Sequence, residues 1–526
     1  MLPNKNSGIN RGDYLIAIAI FAAGLLFNLI RLNYWSPLPD EINYARCARF
    51  LVENRTFFST DIMFFPPLFV YLSAILQKAG LELLISVRLI SAFAGALIVP
   101  LLFFSARTCL PRSTAVLGTL CILPMFSLHC YSRLGQVEIL MLFFIVLALL
   151  FLLRALTTTR QIFALYAGLA LGLGLWTKET TLGAVAASTL FLLLSPAKSL
   201  RLLLNLLLGL ALPATGLAVL SHFSGQNLLF EITRARGYDI NMLQLHPIAS
   251  FLALAGNLSY NLLPRIYYPW EFITFIILSP VLTVLLLVLV VRDALQKNLI
   301  SRFVIAYLTI HLPFFFLFSR KFDYYLLPSA LFIVFAGGLA VFTPGGPRNL
   351  RKTGIVLLLL LGFFNIYADR FLYFNRGTHG SFATAVQAIP PQTVIATSHP
   401  SLVEYLSHRA GLNLKVMPLF QKNSYQINPE VWADSSVAII LVKYYYYERL
   451  KNRLPDDWTR LTEIFPEKRE IIDRDWSIFL TVQERRSLFP RTERMAELTR
   501  PTGILILFKA PPSAETHLTA ASRFYF

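Results

Sequence analysis

Two adjacent carboxylates, Pro39-Asp40-Glu41, stand in a polar stretch just after the first long apolar run. Followed by Ile42-Asn43-Tyr44-Ala45-Arg46, they open a short amphipathic helix, where a proline and first-turn acids suit the N-terminus. Capping needs only one carboxylate. The other is a candidate general base for taking a proton from a hydroxyl.

Three more stretches hold charges that are costly next to apolar runs. In Tyr131-Ser132-Arg133-Leu134-Gly135-Gln136-Val137-Glu138, the acid begins a long apolar helix. It complements the helix dipole there, or orients a substrate or a basic residue. Lys178-Glu179 reads as a buried salt bridge between helix tips, and Lys178 is also a candidate for orienting a substrate. Ser319-Arg320-Lys321-Phe322-Asp323-Tyr324-Tyr325 reads either as an interface belt or as a phosphate grip. In the second reading Lys321 is a point charge, Arg320 a fork and Tyr325 a substrate-orienting ring. His129, Cys130 and Cys47 share no ligand spacing, so neither a metal nor another cofactor is expected.

The elements that position these groups follow from composition. The 526 residues are 56% hydrophobic and only 14% charged, with a mean hydropathy of +0.59. Soluble domains carry about 25% charged residues, so the chain reads as a polytopic membrane protein. The net charge of +18 is spread over short connectors, the mark of cytoplasmic loops rather than of a nucleic-acid face. The apolar run from Tyr14 to Ile30 reads as a retained first span rather than a signal peptide.

On the length ruler for spanning helices there are about eleven spans, near 14–32, 86–106, 113–130, 136–154, 161–177, 180–195, 202–221, 270–291, 302–319, 324–342 and 353–369. Every second connector is short and basic, with Arg107 and Arg112, then Arg154 and Arg160, then Lys198 and Arg201, then Arg292, Lys297 and Arg302, then Arg348, Arg351 and Lys352. These share a side with the N-terminus, which the positive-inside rule makes cytoplasmic. Pro66-Pro67-Leu68 to Leu76 is too short to cross and reads as interfacial or re-entrant. The outer face then receives loop 33–85 and all the charges singled out above, and ionisable residues at such positions are functional candidates.

From about Phe371 the apolar runs shorten to strand length at Thr393–Thr397, Val437–Val442, Trp476–Val482 and Gly503–Phe508, with helical pieces at Ser401–Arg409 and Tyr445–Asn452. The expected division is a membrane domain over 1–370, with its catalytic outer loop at 33–85, and a small α/β domain over 371–526 outside the membrane.

The order of these motifs resembles that of GT-C fold membrane glycosyltransferases. The resemblance is to the family 39 protein O-mannosyltransferases and to the lipid A aminoarabinose transferases. It runs from residue 14 to about 345. It is carried by Pro39-Asp40-Glu41 with Tyr44-Ala45, by Pro66-Pro67-Leu68 with Tyr71-Leu72, and by Val87-Arg88-Leu89-Ile90-Ser91-Ala92-Phe93-Ala94-Gly95. Ser132-Arg133 with Glu138, Gly168–Lys178, and Lys321 with Tyr325-Leu326-Leu327-Pro328 complete it. The resemblance implies a polyprenyl-phosphate sugar as donor and a hydroxyl on a protein, lipid or glycan as acceptor, with inversion at the anomeric carbon. It makes Asp40 the base with Glu41 supporting it. Lys321 and Arg133 would neutralise the departing phosphate, with no metal needed. The absence of the large luminal insertion of eukaryotic relatives points to a bacterial inner membrane. Three departures stand out: Phe65 where lipid A enzymes often carry a lysine before Pro-Pro, Glu138 where aspartate is usual, and Asp323 beside Lys321. Two other functions remain open at this stage. A transporter or flippase would need broken polar helices at mid-membrane, and a non-catalytic assembly subunit would work through its C-terminal domain.

Overall fold

The computed structural model describes residues 9–32, 39–55, 67–158, 160–195, 200–223, 254, 279–317, 323–343 and 348–374. Towards the C-terminus it describes residues 393–409, 411–412, 414–421, 426–433, 437–442, 455–465, 467–471 and 504–508. The described residues of Met1–Arg376 form one compact unit, and those of Gly377–Phe479 with Ala496–Phe526 a second.

The first unit is helical. Its described helices are α1 (Arg11–Leu29), α2 (Pro39–Asn54), α3 (Leu68–Lys78), α4 (Leu83–Cys109), α5 (Arg112–Leu120), α6 (Phe126–Arg133), α7 (Val137–Thr158), α8 (Ile162–Thr177), α9 (Thr181–Leu193), α10 (Leu200–Phe223), α11 (Ser279–Leu295), α12 (Leu299–Leu317), α13 (Asp323–Phe342) and α14 (Arg348–Phe374). Among the described residues, 5 helices are long and apolar enough to cross a membrane: Arg11–Leu29, Leu83–Cys109, Val137–Thr158, Leu200–Leu220 and Tyr325–Phe342. Helices of this length and composition make the chain a multi-pass membrane protein. Every predicted span but one corresponds to a single described helix, that at 270–291 from Ser279 onward.

The exception is 113–130, where the chain turns at Cys121–Pro124 and splits the run into α5 and α6. Proline removes a donor and restricts the residue before it, so the helix ends ahead of it. The two halves still run between opposite ends of α1. Arg112 at the start of α5 lies 3.3 Å from Asp13, while Arg133 at the end of α6 donates to the Phe27 carbonyl. Asp13 also binds Arg107 at 3.2 Å and closes a capping box with Asn10. The first basic connector therefore does more than carry charge: it is stapled to the N-terminus of α1.

Of the stretch 66–76, expected from its length to be interfacial or re-entrant, Leu68 onward belongs to α3, only 11 residues long. It packs with α2 against α4 through a polar knot. The Gln77 amide donates to the Ala45 carbonyl at 3.0 Å and to the Ser73 and Ser86 hydroxyls at 3.2 and 3.1 Å. Tyr44 meets Phe69 edge-on, with ring centroids 5.4 Å apart. Farther along, α8 and α10 cross at near backbone contact, because a Cβ at Gly168 would strike the Leu206 carbonyl and one at Gly209 the Leu165 carbonyl. Small residues at a membrane helix crossing allow this approach.

The second unit holds a five-stranded sheet, order β2-β1-β3-β5-β4. Its strands are β1 (Val394–Thr397), β2 (Lys415–Pro418), β3 (Val437–Val442), β4 (Glu467–Ile471) and β5 (Ile504–Phe508). Strands β2, β1 and β3 run parallel; β5 is antiparallel to β3, and β4 is antiparallel to β5, so it runs in the direction of the first three. Helices α15 (Pro400–Arg409), α16 (Pro429–Ala433) and α17 (Pro455–Ile464) accompany them. The central strands read as continuous apolar runs because both faces are covered. The expected strand Trp476–Val482 and helix Tyr445–Asn452 lie outside the described residues.

Candidate functional site

Asp40 is exposed at the first turn of α2. Its neighbour Glu41 is the opposite case, 0% exposed. One Glu41 oxygen, Oε2, accepts from Arg88 Nη2 at 2.8 Å and Nε at 3.1 Å. The other, Oε1, accepts from the backbone N–H of Gly135 at 2.9 Å. Arg88 is itself 0% exposed, and its Nη1 donates to the Leu32 carbonyl at 2.8 Å. One charge pair thus ties α2, α4, the end of α1 and the turn before α7. Gly135 is required for the fit, because a Cβ there would come within 2.6 Å of Val87 Cγ2. Of the two carboxylates proposed for catalysis, Glu41 is engaged at both oxygens and positions the loop, whereas Asp40 faces out.

Arg133, expected to hold phosphate, lies 3% exposed. Its guanidinium donates to the Phe27, Asn28 and Arg31 carbonyls at 2.8, 3.4 and 3.3 Å. These are the last carbonyls of α1 and the turn beyond it, a cation's natural place at a helix C-terminus. Asn28 adds a bond from its amide to the Ala92 carbonyl at 3.0 Å. The sequence reading overlooked this use of Arg133: its charge is spent on α1.

Lys178 makes its expected buried salt bridge with Glu138, across the α7 and α8 tips. Both are buried, at 4% and 2% exposure. The ammonium also sits 4.5 Å from the centroid of the Tyr325 ring, a cation–π contact that adds most where water is excluded. These three substrate-orienting candidates therefore form one cluster from α7, α13 and the turn after α8. Arg320 and Lys321 lie outside the described residues. Burial pushes the Tyr71 hydroxyl and the Cys47 thiol, on α3 and α2, each up to about 12. Tyr71 therefore stays a proton donor, and the thiol stays unreactive.

Arg88 is the residue whose role sequence reasoning missed. The signal was available: it is the lone cation in the apolar run 86–106, at the end away from the basic connectors. A buried membrane cation implies a partner.

The family described as Dolichyl-phosphate-mannose-protein mannosyltransferase matches residues 65–223, less than half of the chain. No curated protein sequence matches the chain significantly. Among solved structures, the chain is similar to ArnT from Cupriavidus metallidurans bound to undecaprenyl phosphate, with TM-score 0.55 and 14% identity over 84% of this chain and 95% of that one. The apo ArnT structure gives TM-score 0.53 and 11% identity over 94% and 98%. The fold is that of GT-C membrane glycosyltransferases.

Proposed function

We propose that the chain is a membrane glycosyltransferase that moves a sugar from a polyprenyl-phosphate donor to an acceptor hydroxyl on the extracytoplasmic face. The observation that carries this reading is the α2 entry. Glu41 is fixed on both sides by Arg88 and Gly135, which leaves the adjacent Asp40 exposed on a rigid mount. Preorganisation of this kind is what a general base needs.

In the proposed step Asp40 accepts the proton of the acceptor hydroxyl as its oxygen attacks the anomeric carbon from the side opposite the phosphate. The bond from anomeric carbon to phosphate oxygen breaks, and the polyprenyl phosphate leaves with the electron pair. The configuration inverts. Lys321 and Arg320 would neutralise the leaving phosphate, and no metal or other cofactor takes part. The acceptor is a protein, lipid or glycan. Two supports come from the comparisons: the matched family's description names a dolichyl-phosphate-linked mannose, and one ArnT structure holds undecaprenyl phosphate.

The proposed placement is a bacterial inner membrane with the N-terminus cytoplasmic and the C-terminal domain extracytoplasmic. The test is transfer by the purified protein from a panel of undecaprenyl-phosphate sugars. Asp40→Asn is expected to lower turnover by about 100-fold or more, the range a general base contributes. Turnover equal to wild type removes Asp40 as the base.

A further inference from the structure

The Lys178–Glu138 pair leaves something over. Lys178 takes Glu138 Oε1, while Oε2 is buried with no hydrogen-bond partner among the described residues. Glu138 is 2% exposed. A buried carboxylate oxygen without a donor is costly, more so than a neutral group left in the same state. Two further polar atoms in the adjoining turns are in the same condition. They are Nε2 of Gln136, two residues ahead, and Oγ1 of Thr181, whose N–H closes the turn onto the Lys178 carbonyl at 3.1 Å. Thr180, between Lys178 and Thr181, packs its hydroxyl on Met141 Sδ at 3.1 Å, so this turn lies along the face of α7 that bears Glu138.

A carboxylate oxygen only accepts, an amide NH2 only donates, and a threonine hydroxyl does both. The group that satisfies such a set is itself both donor and acceptor. Of the parts of a polyprenyl-phosphate sugar, only the sugar's hydroxyls are of that kind, the ionised phosphate being an acceptor and the prenyl chain neither. We propose that Glu138 Oε2, aided by the Thr181 hydroxyl, binds a hydroxyl of the donor sugar, and that Lys178 and Tyr325 hold Glu138 in place for it. This deepens the transferase reading and rests on it. It assigns the sugar, rather than the phosphate or the prenyl chain, to the α7–α9 tips. Sites that hydrogen-bond a substrate hydroxyl reject analogues lacking it, because their own polar atoms are then stranded.

The experiment compares two probes on the detergent-purified full chain: bare undecaprenyl phosphate, and undecaprenyl phosphate carrying glucose, mannose, galactose or 4-amino-arabinose. Affinity is read by native mass spectrometry. Wild type is expected to bind at least one sugar-bearing lipid more tightly than the bare lipid. Glu138→Gln keeps an oxygen for Lys178 and replaces the free one with a donor. It is expected to lose that preference by about 10- to 100-fold while binding bare lipid as wild type does. Should Glu138→Gln fold poorly, the isosteric Thr181→Val reports instead, with an expected loss of about fivefold in the same ratio.

An unchanged ratio in the folded variant, or an equal loss for both lipids, overturns the sugar assignment and leaves the transferase reading standing. Binding of neither lipid by wild type overturns the polyprenyl-phosphate reading itself.

Discussion

At the scale of the residue, the arrangement turns on the difference between Asp40 and Glu41. They are chemically near-identical neighbours, yet one is exposed and the other is sealed at 0% exposure against Arg88. Removing one partner of a buried ion pair costs about 3–5 kcal/mol, because the other charge is stranded, while replacing both by apolar groups costs far less. Arg88→Met and Glu41→Leu are each expected to lower stability by about that amount in thermal unfolding followed by tryptophan fluorescence. The double variant is expected to recover a large part of either loss. It should not recover all of it, since the Gly135 N–H and the Leu32 carbonyl also lose a partner. Losses that simply add would show that the two groups do not act as a pair. Sequence pattern flagged the acids because charge beside an apolar run is rare. It could not say which one faces inward, because that depends on Arg88 and Gly135, distant in the chain.

At the scale of the element, helix existence was legible and helix continuity was not. Long apolar runs mark spans by length alone, and α1, α4, α7 and α13 follow directly. The break between α5 and α6 depends on whether Pro124 is absorbed or ends a helix, and tertiary partners decide that. Asn365 on α14 is one of them: its Oδ1 accepts from the Phe126 N–H at 3.0 Å, and its Nδ2 donates to the Leu361 carbonyl at 2.9 Å. The bond supplies a donor at the start of α6 with its acceptor, as a helix N-terminus requires. Asn365→Leu is expected to cost about 1–3 kcal/mol through the stranded N–H. Ile366→Ala, at an exposed neighbouring position, is expected to change stability by no more than about 0.5 kcal/mol. Equal effects in the same unfolding assay would deny Asn365 this role. In the second unit β4, Glu467–Ile471, escaped notice because its sequence is mostly charged. Its place at the sheet edge explains the charges, which discourage pairing with another chain.

At the scale of the whole molecule, two sets of ionic contacts mark opposite ends of the helical unit. Asp13 with Arg107 and Arg112 holds one end. Glu41 with Arg88, and Glu138 with Lys178, belong to the other, where α1 finishes beneath Arg133. A polar N-terminus tied to a basic connector fits the cytoplasmic side, and the proposed catalytic groups then face outward. This assignment can be read with single cysteines in a background from which Cys47, Cys109, Cys121 and Cys130 have been removed. Arg49→Cys lies on the exposed side of α2 and Arg160→Cys in the exposed connector between α7 and α8. In intact spheroplasts, a membrane-impermeant maleimide is expected to label the cysteine at position 49. The one at position 160 is expected to react only after permeabilisation. An Arg409→Cys variant, on α15, is expected to behave like position 49, because the eleven spans expected from the sequence would put the two on the same side. Labelling of position 160 in intact cells would invert the whole assignment and place Asp40 in the cytoplasm. Protection at position 409 alone would instead leave the site outside and revise only the number of crossings after it.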